Sequence, residues 1–219
     1  MLILAAATVI VAYLLGSINF AVIFANMFLK KDVRKYGSGN AGTTNVMRVA
    51  GLLPGILTFV FDALKGLLAC FAGKVIFNYI FVTSGLEWAN PVYGAYLCGV
   101  ACMIGHVFPI FFQFKGGKGV ATSVGIFAIC CPKAIIIGLA VFALCVLISR
   151  IVSLSSLVAA VTVITLSMVF YSRGALLWPQ AVLSISMGVI IFLKHSENIK
   201  RLISGSESKL NIRRHKKNG

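Results

Sequence analysis

The stretch VATSVGIFAICCPKAIIIGLAVFALCVLIS, residues 120–149, decides how this chain is folded. It is apolar apart from Pro132-Lys133 near its middle, and it reads either as one long helix or as two short ones. Other apolar runs lie at about 2–29, 52–81, 91–112, 151–172 and 175–193. A bilayer-spanning helix needs roughly 20 residues, and most of these runs qualify. Charge chooses between the two readings. Basic residues cluster at Lys30, Lys31, Arg34, Lys35 and Arg48, at Lys115 and Lys118, at Arg150, and from Lys194 to Lys217; only Lys65, Lys74, Lys133 and Arg173 lie elsewhere. Positive loops stay cytoplasmic. Two helices within 120–149 put every basic cluster on the inside. One helix would move Arg150 and the whole basic tail outside. The expected fold class is therefore all-α: a polytopic integral membrane helical bundle of seven transmembrane helices, N-terminus outside and C-terminus cytoplasmic. A single membrane domain covers 1–208, and a basic cytoplasmic tail covers 209–219.

Composition agrees. Of 219 residues, 59% are hydrophobic and 11% charged, against roughly 25% charged in soluble domains. The 20 basic and 5 acidic residues give a net charge of +15. Beside apolar spans, that excess points to anionic membrane lipids and anionic substrates. Basic grooves interleaved with stacking aromatics are missing, so no nucleic acid is expected. Cys70, Cys98, Cys102, Cys130, Cys131 and Cys145 all fall in apolar segments without a C-x-x-C pair, which reads as packed free thiols and no metal site. The first apolar run has no basic leader and continues to about Leu29, too long for a signal-peptide core, so it reads as a retained span. Trp88 and Trp178 fall in outer loops as interfacial aromatics. Gly94, Gly99 and Gly105 suit close helix approach.

The seven-span reading gathers three polar segments on one face. The first is Gly37-Ser38-Gly39-Asn40-Ala41-Gly42-Thr43-Thr44-Asn45-Val46-Met47-Arg48, which offers hydroxyls, amides, bare backbone N–H groups and one arginine. Such groups hold phosphate. In the second, Lys115-Gly116-Gly117-Lys118-Gly119 opens a helix at Val120-Ala121-Thr122. Glycines admit an anion to the backbone, and a helix N-terminus supplies donors and positive dipole. The spacing is not that of a Walker A loop. The third runs from His195 through Asn198 and Arg201 to Glu207; His195 and Asn198, three apart, share a helix face. Asp62 and Lys65 form an intramembrane pair at i, i+3, either a structural ion pair or a support for the site. Ser153, Ser155 and Ser156 follow Arg150, where a serine either reaches the same face or bonds its own helix backbone.

Together these segments resemble the three signature motifs of the acyl-phosphate-dependent glycerol-3-phosphate acyltransferases, the PlsY family of bacterial membrane enzymes. The matching residues are Gly37-Ser38-Gly39-Asn40, Gly42, Thr44-Asn45, Arg48 and Gly51; Phe114 through Thr122; and His195, Asn198-Ile199, Arg201-Leu202, Gly205 and Glu207. Gly16-Ser17 and Asp62-x-x-Lys65-Gly66 fit the same pattern. Ser196 replaces a frequent arginine, Asn19 a frequent proline, and the tail extends past the last motif.

The resemblance implies transfer of a fatty acyl group from acyl phosphate to the sn-1 hydroxyl of glycerol 3-phosphate at the cytoplasmic face of a bacterial plasma membrane. The products are lysophosphatidic acid and phosphate, with no cofactor or metal. On that basis Gly37, Ser38, Gly39, Asn40, Thr44, Asn45, Lys115 and the glycine segment Gly116, Gly117 and Gly119 cradle phosphate. Arg48 and Lys118 neutralise it, and Ser153 is a further contact. His195 and Asn198 hold glycerol 3-phosphate and orient its hydroxyl. The proton goes either to His195 or to a substrate phosphate oxygen, and either glycine segment could hold either phosphate. A phosphate-ester transporter is the alternative. It would also want broken helices, but no internal repeat is visible and the polar residues gather on one face.

Overall fold

A computed structural model describes residues 1–210, which form ten α-helices joined by short turns. Residues 211–219, most of the expected basic tail, lie outside the described residues. The first apolar run is split into α1 (Leu2–Gly16) and α2 (Phe20–Leu29). Asn19 starts α2 by accepting from the Val22 N–H at 3.2 Å, which satisfies one of the orphan donors of a helix start. The short α3 (Thr43–Ala50) follows the first polar segment. Then comes α4 (Leu52–Ser84), whose 33 residues rise about 50 Å and exceed the bilayer core. The bundle continues with α5 (Pro91–Val107), α6 (Val120–Cys130), α7 (Pro132–Ser149), α8 (Val152–Ser172), α9 (Trp178–Lys194) and α10 (Ser196–Ile203).

The decisive stretch is thus two helices. Cys131 leaves helical geometry at φ −154°, ψ 70°, and Pro132 takes the first position of α7, where its missing N–H is no loss. The helices run away and back. Lys118, just before α6, meets Asn198; Asn198 donates to Glu207, and Ser153 at the start of α8 donates to Glu207 as well. The start of α6 and the end of α7 therefore lie at one end of the bundle. The span count is coarser than the sequence suggests. Among the described residues, five segments are long and apolar enough to cross a membrane, and α9 with α10, bent by 62°, makes a sixth. At 11 residues, α6 rises only about 17 Å, short of a roughly 30 Å hydrocarbon core.

Small residues let the helices touch backbone to backbone. A side chain at Gly94, Gly99 or Gly105 on α5 would run into the Gly73 carbonyl, Cys70 Sγ or the Tyr13 carbonyl. Gly125 on α6 lies likewise against Ala63 of α4. Five of the six cysteines are buried free thiols, and Cys145 is half-buried. Trp88 packs edge-on to Phe77 at 6.2 Å, and Trp178 lies 5.8 Å from Tyr93. Both tryptophans sit at the end of the bundle away from the polar segments.

Candidate active site

In the first segment, Gly37 and Gly39 take positive φ of 61° and 72°, which glycine adopts without strain. The turn is fixed from inside by Asn45. Its Nδ2 lies 3.0 Å from the carbonyls of Val33, Tyr36 and Asn40, and its Oδ1 accepts from the Ser38 N–H at 2.9 Å. Asn45 was expected to touch phosphate. Instead it is buried and its amide is spent on the chain's own backbone, which shapes the loop that presents Ser38. Ser38 and Arg48 are exposed, while Asn40 and Thr44 are half-buried.

In the second segment, the Gly117 N–H donates to the His106 carbonyl at 3.2 Å. Gly117 is also packed against the His106 ring and the Ala41 carbonyl of the first segment. Gly119, at φ +85°, caps α6. Lys118 between them is half-buried and bonds Asn198 Oδ1. Lys115 is exposed and its ammonium makes no ion pair among the described residues.

Glu207 organises the third segment. Its Oε1 accepts from Ser153 Oγ at 2.9 Å and from Asn198 Nδ2 at 2.7 Å, and its Oε2 from Arg201 Nε at 2.7 Å. Burial opposes its charge, but these donors hold its carboxyl below the usual range. Ser153, expected at substrate, thus donates its hydroxyl hydrogen bond to the Glu207 carboxylate. His195 is buried, with Nδ1 2.8 Å from the Ile191 carbonyl. Nδ1 must donate there, which leaves Nε2 as an acceptor in the neutral ring. Among the described residues no carboxylate bonds His195: Asp32 pairs with Arg34, Asp62 with Lys65, Glu197 with Lys200 and Glu207 with Arg201, while Glu87 lies at the other end.

The three segments close into a ring. Arg34 reaches the Phe112 carbonyl at 2.9 Å and Ala41 abuts Gly117, joining first to second. Lys118 with Asn198 joins second to third. Arg48 Nη2 to the Ser208 carbonyl, 3.4 Å, joins third to first. Of the expected site residues, Arg48, Lys118, Asn198 and His195 are brought together; Ser153 arrives through Glu207. Burial first, and then the charges of Arg201, Arg48 and Lys194, push the Lys118 ammonium down to about 8 against the pull of Glu207. Arg201 is linked to Lys118 through Glu207 and Asn198, and Arg48 bonds Ser208 beside Glu207, so these cations gather around the third segment. Arg201 and Glu207 match the third motif but were given no role at the site, and Lys194 and His106 were not singled out as site residues.

Beneath this ring, an apolar cleft of about 640 Å³, counted with its open part, runs between α6, α7, α8 and α9. It starts at Val120 and Ile191, beside Lys118 and His195, and continues to Phe127 and Ile135.

The glycerol-3-phosphate acyltransferase family model matches residues 6–205. A glycerol-3-phosphate acyltransferase 2 of Bacillus anthracis is 39% identical, covering 93% of this chain and 97% of the relative. A glycerol-3-phosphate acyltransferase of Enterococcus faecalis is 42% identical, covering 93% and 90%. Crystal structures of PlsY, an integral membrane glycerol 3-phosphate acyltransferase, in its glycerol 3-phosphate and lysophosphatidic acid forms, superpose with TM-scores of 0.76 and 0.75 at 35% identity. The first covers 94% of this chain and 96% of its own, the second 94% of each.

Lys118 carries a testable consequence. A lysine held at about 8 is charged below that pH and neutral above it. Affinity for a phosphate monoester, measured by titration calorimetry, should fall as pH rises through about 8. Lys118→Arg, whose guanidinium stays protonated, should remove that fall.

Proposed function

The chain belongs to the glycerol-3-phosphate acyltransferase family, and from that premise we propose that it moves a fatty acyl group from acyl phosphate to the sn-1 hydroxyl of glycerol 3-phosphate. Lysophosphatidic acid and inorganic phosphate are the products. One observation carries the reading: Arg48, Lys118 and Arg201, one from each segment, are joined by hydrogen bonds at one end of the bundle, beside an apolar cleft. Two phosphate-bearing substrates repel each other. At an effective dielectric of 20, two unit charges 4 Å apart cost about 4 kcal/mol. Arg48, Lys118, Arg201 and Lys194 offset that cost, so positioning and electrostatic stabilisation supply most of the rate.

The hydroxyl oxygen attacks the carbonyl carbon of the mixed anhydride. An ester C–O bond forms, the C–O bond to phosphate breaks, and phosphate leaves. An acyl-enzyme is unnecessary, because the donor is already activated. Ser38, Asn40, Thr44 and the Gly116 and Gly119 backbone surround phosphate oxygens, with Asn45 setting the first loop and the Gly117 N–H, spent on the His106 carbonyl, setting the second. His195 Nε2 accepts from the glycerol moiety and Asn198 fixes Lys118 beside it. The departing phosphate takes the hydroxyl proton. His195 has a backbone carbonyl where a catalytic triad has a carboxylate, and the Lys118 ammonium opposes an imidazolium beside it. The acyl chain lies in the cleft and continues into lipid.

In the membrane the chain makes seven crossings, α6 being a short one against α4. The N-terminus is outside and the polar end faces the cytoplasm of a bacterial plasma membrane. Lys30, Lys31, Arg150 and Lys209 at that end favour anionic lipids.

Purified protein given acyl phosphate and glycerol 3-phosphate should release phosphate; a folded protein that releases none contradicts the reading. His195→Gln should keep most of kcat and raise KM, whereas loss of kcat at unchanged KM would make His195 the base. A C-terminal reporter should read out as cytoplasmic, and an extracytoplasmic signal would overturn the seven crossings.

A further inference from the structure

Below the polar ring lies a buried cluster that no step of the transfer uses. Asp62 and Lys65 on α4 form an ion pair at 2.6 Å, both side chains sealed from the outside. Such a pair is costly inside an apolar bundle unless further polar partners complete it. Lys65 Nζ donates to the Ile18 carbonyl at 2.7 Å, in the break between α1 and α2. Asp62 Oδ1 faces Nδ1 of His106, near the end of α5, at 3.6 Å. That is too long for a hydrogen bond but close enough for charge to orient the ring. His106 Nδ1 has no hydrogen-bond partner among the described residues.

His106 meets the catalytic end with both its backbone and its ring. Its carbonyl accepts the Gly117 N–H at 3.2 Å. Its Nε2 lies directly against Gly117, so closely that a side chain there would overlap both the imidazole and the Ala41 carbonyl of the first segment. One histidine therefore supports the second glycine segment and sets its spacing from the first. Lys118 is the next residue along.

We infer that His106 is a positioning residue for the phosphate-binding glycine segment, held in place from below by the Asp62–Lys65 pair. None of the three side chains touches substrate. They act through the Gly116–Gly117 backbone and the lysine it carries. The inference deepens the acyl-transfer reading and rests on it. A cluster that served only to hold the helices together would change the amount of folded protein and leave the kinetics of each folded molecule untouched.

The test compares wild type, His106→Ala, His106→Gln and the paired change Asp62→Asn/Lys65→Met, which removes both charges together. Each is purified in detergent and measured for thermal midpoint and for kcat and KM toward both phosphate substrates. In His106→Ala and in the paired variant, KM for at least one substrate should rise by about tenfold or more, with the midpoint within a few degrees of wild type. His106→Gln, which restores a polar group under Gly117, should recover most of that loss. Folded His106→Ala with both KM values and kcat within about twofold of wild type overturns the inference. Loss of folded protein in both the alanine and the paired variant overturns it too, because it assigns the cluster to the fold alone. If wild type itself shows no turnover, the acyl-transfer reading falls. The Kd of the same variants for inorganic phosphate, raised or unchanged, then still decides the positioning role.

Discussion

Irregular backbone at the edge of a bilayer must satisfy its own polar groups, and the rest of this structure depends on how that is done. An unpaired N–H or C=O away from water costs several kcal/mol. The first segment meets the demand with one side chain. Asn45 lies within 3.0 Å of three carbonyls and takes one N–H, so a glycine-rich loop holds a single shape without sheet or helix. The second segment borrows the His106 carbonyl at the end of a helix. The third is pinned by Glu207, which gathers Ser153, Asn198 and Arg201 from two helices. Each loop is thus tied to a rigid helix, and the helices bring the loops into one ring.

That ring is electrically unbalanced by design of its residues. Arg48, Lys118, Lys194 and Arg201 share a small region with a single carboxylate, Glu207, whose oxygens already accept three hydrogen bonds. In the proposed reaction, that surplus positive charge is what attracts the two phosphates. It also explains why Lys118 is held at about 8: burial and three like charges make its proton easier to lose. The low dielectric of the adjoining cleft strengthens the field felt by a bound anion. The cationic ring is thus set on an apolar slot, the pairing that the proposed reaction needs for a phosphate and an acyl chain on one substrate.

Much of this was legible in the sequence, and what was not has a physical cause. Charge placement alone split residues 120–149 into two helices, because Arg150 had to return to the side of Lys118. Each segment alone reads as an ordinary polar turn, and the three stood out because charge placed them together on one face. The inward turn of the Asn45 amide was hidden, since it depends on where Val33, Tyr36 and Asn40 place their carbonyls. Whether Ser153 faces the polar end or its own helix backbone stays open in the sequence, because its acceptor, Glu207, lies 54 residues away. The shortness of α6 was legible, because Pro132-Lys133 interrupts the apolar run. Less visible was the close seat of α6 on α4, where Gly125 lies against Ala63 and Leu67, because an apolar run shows composition and not which helix packs on it.

The central claim is that the three segments act as one site. It is tested most directly by a double-mutant cycle between Lys118 and Asn198, with glycerol 3-phosphate affinity measured for wild type, Lys118→Ala, Asn198→Ala and the double variant. The account predicts a coupling of about 1 kcal/mol or more, because Asn198 acts partly by holding Lys118. Losses that add to within about 0.3 kcal/mol would contradict it.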